Sequence, residues 1–170
     1  MREYPILCTT SVVRAILEGR QTQDRRPRQP WWQAGDRLYV REAWHPWPQP
    51  PGYVYRATWE GEGFKGGWKP SIHMPKVAAR IWLRVLDMRM ERLQDISDAD
   101  CITEGIQPME QLPGPIGQVV PESLSRWRHA QLHAKFAELW DLLYSKRTCG
   151  WDTNPLVWVT VFEVEETAHG

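Results

Sequence analysis

Four arginines crowd one short stretch, Arg20, Arg25, Arg26 and Arg28, with Asp24 the only acid among them, so positions 20 to 28 carry a local net charge of +3. Guanidinium groups make bidentate contacts to phosphate and stack on bases, which an ammonium does less well. Trp31 and Trp32 follow directly. Basic residues interleaved with aromatics suit single-stranded nucleic acid, where each stacked base contributes about 1–3 kcal/mol. The stretch therefore reads as a loop that binds phosphate and base. Asp24 has two readings within it. As the partner of Arg25 or Arg26 it forms an exposed ion pair worth about 0–1 kcal/mol; as a carboxylate held in its charged form by its neighbours, it can orient a water.

Other residue types capable of chemistry are sparse. His129 and His133 stand at i,i+4 on a helical pattern, a spacing that can bind zinc, but no third ligand at a matching spacing is evident and no metal site is expected. Cys8, Cys101 and Cys149 are odd in number, widely spaced and without a C-x-x-C pair, which reads as free thiols; Cys101 reads as a small buried group. A phosphate-cradling glycine loop, a G-x-S-x-G elbow and a dinucleotide fingerprint are all lacking, so no cofactor is expected.

The whole chain limits what these residues can do. It has 170 residues, 42% hydrophobic and 25% charged, with 21 basic and 21 acidic side chains. That describes one ordinary domain with no global field to draw it onto nucleic acid or an anionic membrane, so any attraction must come from a local patch. Glu163, Glu165 and Glu166 balance the arginines from the far end of the sequence. Met1 to Cys8 lacks the apolar core of a secretory signal, and no run approaches the ~18 apolar residues needed to span a bilayer. A cytoplasmic location is the expectation, with the oligomeric state open.

The elements that must position the arginines follow from periodicity and punctuation. Ser11 caps a helix whose apolar face is Val12, Val13, Ile16 and Leu17, whose wet side pairs Arg14 with Glu18, and which Gly19 stops. Pro27 to Pro30 is an extended connector, and Gly35-Asp36 turns into the strand Arg37–Glu42, with Leu38 and Val40 on its core face. His45 to Lys69, crowded with Pro, Gly and Trp, is a loop-rich insertion with a short strand at Tyr53–Ala57. Ala79 to Met90 is the clearest long strand. Ser97 and Asp100 form an N-terminal box for a helix that ends at Gly105. Gln107 to Pro121 reads as an irregular loop. Leu124, Trp127, Leu132, Phe136, Leu139, Trp140 and Leu143 form the apolar stripe of one long helix, and Leu156–Val164 is a strand apolar on both faces and therefore central.

Several of these segments together resemble the ASCH superfamily, with its PUA-like fold, and in particular its phage- and prophage-encoded members. They are Ile16–Arg26, Gly35–Trp44, Lys69–Pro75, Leu93–Ser97 with Glu104–Ile106, and Gly150–Val159, in the expected order over most of the chain. The resemblance implies an α+β fold, a PUA-like mixed β-barrel flanked by helices, in a single domain over residues 1–170 with the insertion at about 45–69. It also implies a cleft associated with RNA or modified nucleotides, whose polar lining would include Lys69, Ser71 and His73. Some members hydrolyse the acyl amide of N4-acetylcytidine, and ribonuclease activity is attributed to the superfamily. Where those hydrolases carry a lysine this chain has Gln21, and where they carry a threonine it has Asp24; their functional glutamate matches Glu104.

Three functions are open at this stage. The first is binding of RNA, single-stranded nucleic acid or a modified nucleoside through Arg20, Arg25, Arg26, Arg28, Trp31 and Trp32 with Lys69, Ser71 and His73. The second is a hydrolase, an amidohydrolase or a ribonuclease, in which Asp24 orients water, Gln21 donates to the oxyanion and Glu104 protonates the leaving group. The third is a protein-interaction module without a nucleotide ligand.

Overall fold

The computed structural model describes residues 1–50, 52–108 and 121–167. Strand β1 (Glu3–Leu7) leads into helix α1 (Thr10–Leu17), then β2 (Gln23–Arg26), β3 (Arg37–Arg41) and the short pair β4 (Trp44–Pro46) and β5 (Tyr53–Tyr55). The long strand β6 (Ile81–Arg92), helices α2 (Asp98–Thr103) and α3 (Pro121–Tyr144), and the long strand β7 (Leu156–Thr167) complete the order. The expected irregular loop at Gln107–Pro121 falls largely on residues 109–120, outside the described residues.

The mixture is α+β, as expected. Five strands form one sheet in the order β1-β3-β6-β7-β2, antiparallel except for β1 beside β3, and β4 with β5 forms a separate hairpin. Breaks of register in the β6–β7 pairing, at Trp82/Leu83 and Val85/Asp87, mark bulges that add twist and curl to the two longest strands. Among the described residues the sheet is curled but not closed, because no ladder joins its edges β1 and β2. A side chain spans the gap instead: Arg26 Nη2 lies 3.5 Å from the Leu7 carbonyl. Unpaired edges need cover, and Trp32 supplies it, buried with its ring beneath the Arg26 guanidinium at 5.4 Å.

Alternation places the core. Leu38, Val40, Ile81, Leu83 and Val85 turn one way and pack with Val13 and Ile16 of α1 and Phe162 of β7. A second cluster joins Leu93, Ile96, Cys101 and Val157 to Leu132, Phe136 and Trp140 of α3. The α3 stripe is thus buried at Leu132, Phe136 and Trp140 and exposed towards both ends, at Leu124 and Leu143. Thr9, not Ser11, caps α1: its hydroxyl accepts from the Val12 amide at 3.4 Å. Nor does Arg14 pair with Glu18. Its Nε donates to the Ala57 carbonyl at 2.8 Å, while the turn at Gly19 swings Arg20 onto Glu18. In the insertion, Trp47, Trp59, Phe64 and Trp68 pack edge to face or tilted on one another, with Phe64 also stacked on His45. No helix among the described residues is long and apolar enough to cross a membrane.

Candidate functional site

The segment read as a loop is partly an edge strand, and that decides the fate of its side chains. On β2, Gln23 and Arg25 are buried while Asp24 and Arg26 stay half-buried. Just before it, Gln21 forms an antiparallel bridge with Glu104, the C-cap of α2, and the Thr22 amide donates to the Thr103 carbonyl at 2.9 Å. Residues some eighty positions apart in sequence are therefore backbone neighbours. Gly105 makes the approach possible, for it has φ +88° and a Cβ there would stand 3.1 Å from Gln21 Oε1 and 3.2 Å from Ala15 Cβ.

Arg25 is committed to acids of its own chain. Its side chain is 1% exposed, with Nη1 2.6 Å from Glu104 Oε1 and Nη2 2.6 Å from Glu91 Oε1 and 3.3 Å from Asp100 Oδ2. Gln23 Nε2 donates to Asp100 at 2.6 Å and also to Thr103, and Arg89 reaches Glu91 at 3.0 Å and Asp100 at 3.3 Å. Two guanidiniums thus meet three carboxyls, an excess of acid in a buried setting. Burial drives Glu104 up to about 8 against the pull of Arg25, and Asp24 and Asp100 push the same way as burial. On Asp100 burial is outweighed by the hydrogen bond from Gln23 and the charge of Arg25, so its carboxyl is lowered. Burial opposes the charge of Arg25 as well, but Glu104 and Glu91 more than compensate and raise it.

The other expected residues divide sharply. Asp24 pairs with Arg26 at 2.5 Å, the first of its two readings. Trp32 is no stacking platform, since it is buried and its indole donates to Thr160 Oγ1 at 3.1 Å. Arg20 is held by Glu18 at 2.5 Å and the Gly105 carbonyl at 3.2 Å. Trp31, by contrast, is 87% exposed. Arg28 is exposed and makes no hydrogen bond or ion pair with the described residues. Lys69, Ser71 and His73 make no hydrogen bond with Arg20, Arg25, Arg26 or Arg28: the Lys69 ammonium sits 5.2 Å from the Trp44 ring, and Ser71–His73 is a 3-10 turn tied to a different arginine, Arg41, which donates to the Ile72 carbonyl.

Two hollows adjoin β2. One, of about 410 Å³, opens at the β1–β2 seam, with Pro5, Leu7, Pro30, Trp31 and Tyr144 as walls and Arg26, Arg28 and Arg41 as its cations. The other, of about 260 Å³, has Gln21, Asp24, Arg25 and Glu104 on its floor and Phe136, Leu139 and Trp140 of α3 above, and Tyr144 borders both. Chemically, the first offers guanidiniums beside aromatic faces. The second offers a buried carboxyl whose hold on a proton is strengthened by burial. Gln21 is partly committed there, its Nε2 donating to the Gln23 carbonyl at 3.1 Å. Sequence reasoning missed Arg41, Tyr144, Glu91 and Asp100. Arg41 had a signal, standing opposite to Leu38 and Val40 on an alternating strand; the others are joined to β2 only by the fold. Of the described residues, Asp98, His129 and His133 are the set able to gather round a cation, and they line neither hollow.

No protein-family model and no curated protein sequence matches this chain. Among solved structures it is similar to a protein of Enterococcus faecalis V583 described by the family model DUF984, at 9% identity over 98% of this chain and 77% of that one, with a TM-score of 0.48. It is also similar to an ASCH domain from Lactobacillus crispatus JV V101, at 12% identity over 96% of this chain and 79% of that one, with a TM-score of 0.43.

Proposed function

We propose that this chain binds single-stranded RNA, one nucleotide unit of which sits in the hollow at the β1–β2 seam. The observation that carries the reading is the pairing, in one concavity of about 410 Å³, of an exposed indole with guanidiniums. A cavity of that volume is of the size that holds a small ligand. Trp31 offers a face to a base, and Arg28, uncommitted among the described residues, offers a fork to phosphate. The segment-by-segment resemblance to the ASCH superfamily supports the choice of RNA or a modified nucleotide. Titration of short single-stranded RNA, followed by tryptophan fluorescence, tests it. Arg28→Ala weakens binding and lowers the salt slope by roughly 0.7, the share of one single-strand phosphate contact, and Trp31→Ala weakens binding by about 1–3 kcal/mol. Affinity unchanged in both variants contradicts the reading.

Glu104 supports a second reading, hydrolysis of an N4-acyl cytidine in the adjoining hollow. Its strengthened hold on a proton suits a group that protonates the departing amine, while water held at Asp24 Oδ1, the oxygen not bonded to Arg26, adds to the acyl carbon and passes a proton to that carboxylate. Release of cytidine and acetate from N4-acetylcytidine, abolished in Glu104→Gln, is the supporting result. No turnover of that substrate, and no cleavage of RNA, removes the hydrolase.

A further inference from the structure

Away from both hollows, the start of α2 meets the outer face of α3 over three side chains of metal-binding type. We propose that Asp98, His129 and His133 form a site for a divalent transition-metal cation of zinc's class. The inference is independent of the nucleotide reading.

The two histidines stand one helical turn apart with ring centroids 4.0 Å from each other. Both converge on the same carboxylate oxygen: His129 Nδ1 lies 2.6 Å and His133 Nε2 3.2 Å from Asp98 Oδ1. The donor atoms of all three residues fall within 4.8 Å of one another. Zinc bonds of roughly 2.0–2.2 Å in a tetrahedral site hold ligand atoms about 3.4 Å apart, so a cation enters this triangle with small side-chain shifts. Without metal, the two ring N–H groups donate to the ionised carboxylate. When a cation binds, the ring proton at each coordinating nitrogen moves to the other nitrogen of that ring, and the freed lone pairs and the Asp98 oxygen form the three bonds.

Donor type and exposure select the ion. Two imidazoles and one carboxylate favour zinc, cobalt, nickel or copper over magnesium and calcium, which require more oxygen ligands. The side chains are 60%, 42% and 17% exposed for His129, Asp98 and His133, so solvent reaches the site and fills the remaining coordination positions. The site also has a mechanical consequence. Asp98 opens the helix that Glu104 ends, and His133 lies one turn before Phe136, which stands over Glu104 in the second hollow. A cation here braces α2 against α3.

The test uses the full chain at neutral pH, with Zn2+ measured by calorimetry and thermal shift, Co2+ by its visible absorption, and Mg2+ as the contrast. One Zn2+ per chain is expected, raising Tm by several degrees where Mg2+ does not. The Co2+ spectrum is expected to show nitrogen and oxygen ligation without a thiolate band. His129→Gln, at the most exposed position, and Asp98→Asn are each expected to weaken binding about tenfold or more. Either of two results overturns the proposal: no saturable Zn2+ binding, or binding undiminished in the His129→Gln, Asp98→Asn double variant, which locates the cation elsewhere.

Discussion

Arg25 and Glu104 show how burial changes the meaning of a residue. In the sequence Arg25 is one of four arginines beside two tryptophans, and a phosphate ligand is the natural expectation. In the fold it is bound to Glu91, Asp100 and Glu104 at once, and the charges of Glu91 and Asp100 depend on it. Removing one partner of a buried ion pair costs about 3–5 kcal/mol, because the abandoned charges stay buried. Arg25→Ala is therefore expected to lower unfolding free energy by about that amount in urea titration, whereas Arg28→Ala leaves it within about 0.5 kcal/mol. Glu104 makes a pH-dependent contribution. Its folded-state value, about 8, lies above the ordinary 4.5, so the folded protein holds the proton more tightly than the unfolded chain. The stability this provides is fully present below 4.5 and is lost as pH rises through 8, on the order of 1 kcal/mol per pH unit in between. The stability of the native protein relative to Glu104→Gln is expected to fall between pH 5 and pH 8, as read by urea midpoints. A difference that does not change with pH contradicts the assignment.

At the scale of elements, the strong periodic signals translated directly. Alternation in Arg37–Arg41 and Ile81–Arg92 gave strands with Leu38, Val40, Leu83 and Val85 inward, and Ser97 caps α2 through the Asp100 amide as its spacing implies. What sequence could not supply was pairing between distant elements. Gln23–Arg26 carries no apolar alternation, so its β-structure comes wholly from the partner β7, which lends it a ladder from Trp158 to Val161. Asp98 likewise reaches His129 and His133 only because α2 packs on α3, and a search by local spacing is blind to it. Gly105 is the element-scale hinge of the Glu104 site. Gly105→Ala combines a left-handed backbone with a Cβ crowding Gln21 and Ala15. It is expected to lower stability by about 1–3 kcal/mol, with Gly63→Ala, in open space, as the neutral control.

For the whole molecule, the important feature is a curled sheet whose edges stay unpaired. A closed barrel would have removed both edges and with them the seam. Here Arg26 and Trp32 fill the gap from below, and Trp31, Arg28, Arg41 and Tyr144 surround the hollow left above it. The chain as a whole is neutral, so the attraction for an anionic strand is local and short in range, screened beyond about 8 Å at physiological salt. The most direct measurement of the central claim is the affinity of short single-stranded RNA for the native chain and for the Arg28→Ala, Trp31→Ala double variant across a salt series. The account requires saturable binding by the native protein, at least tenfold weaker binding by the double variant, and a shallower salt slope, with unfolding midpoints unchanged. Equal affinity and equal slope in the two proteins would contradict it.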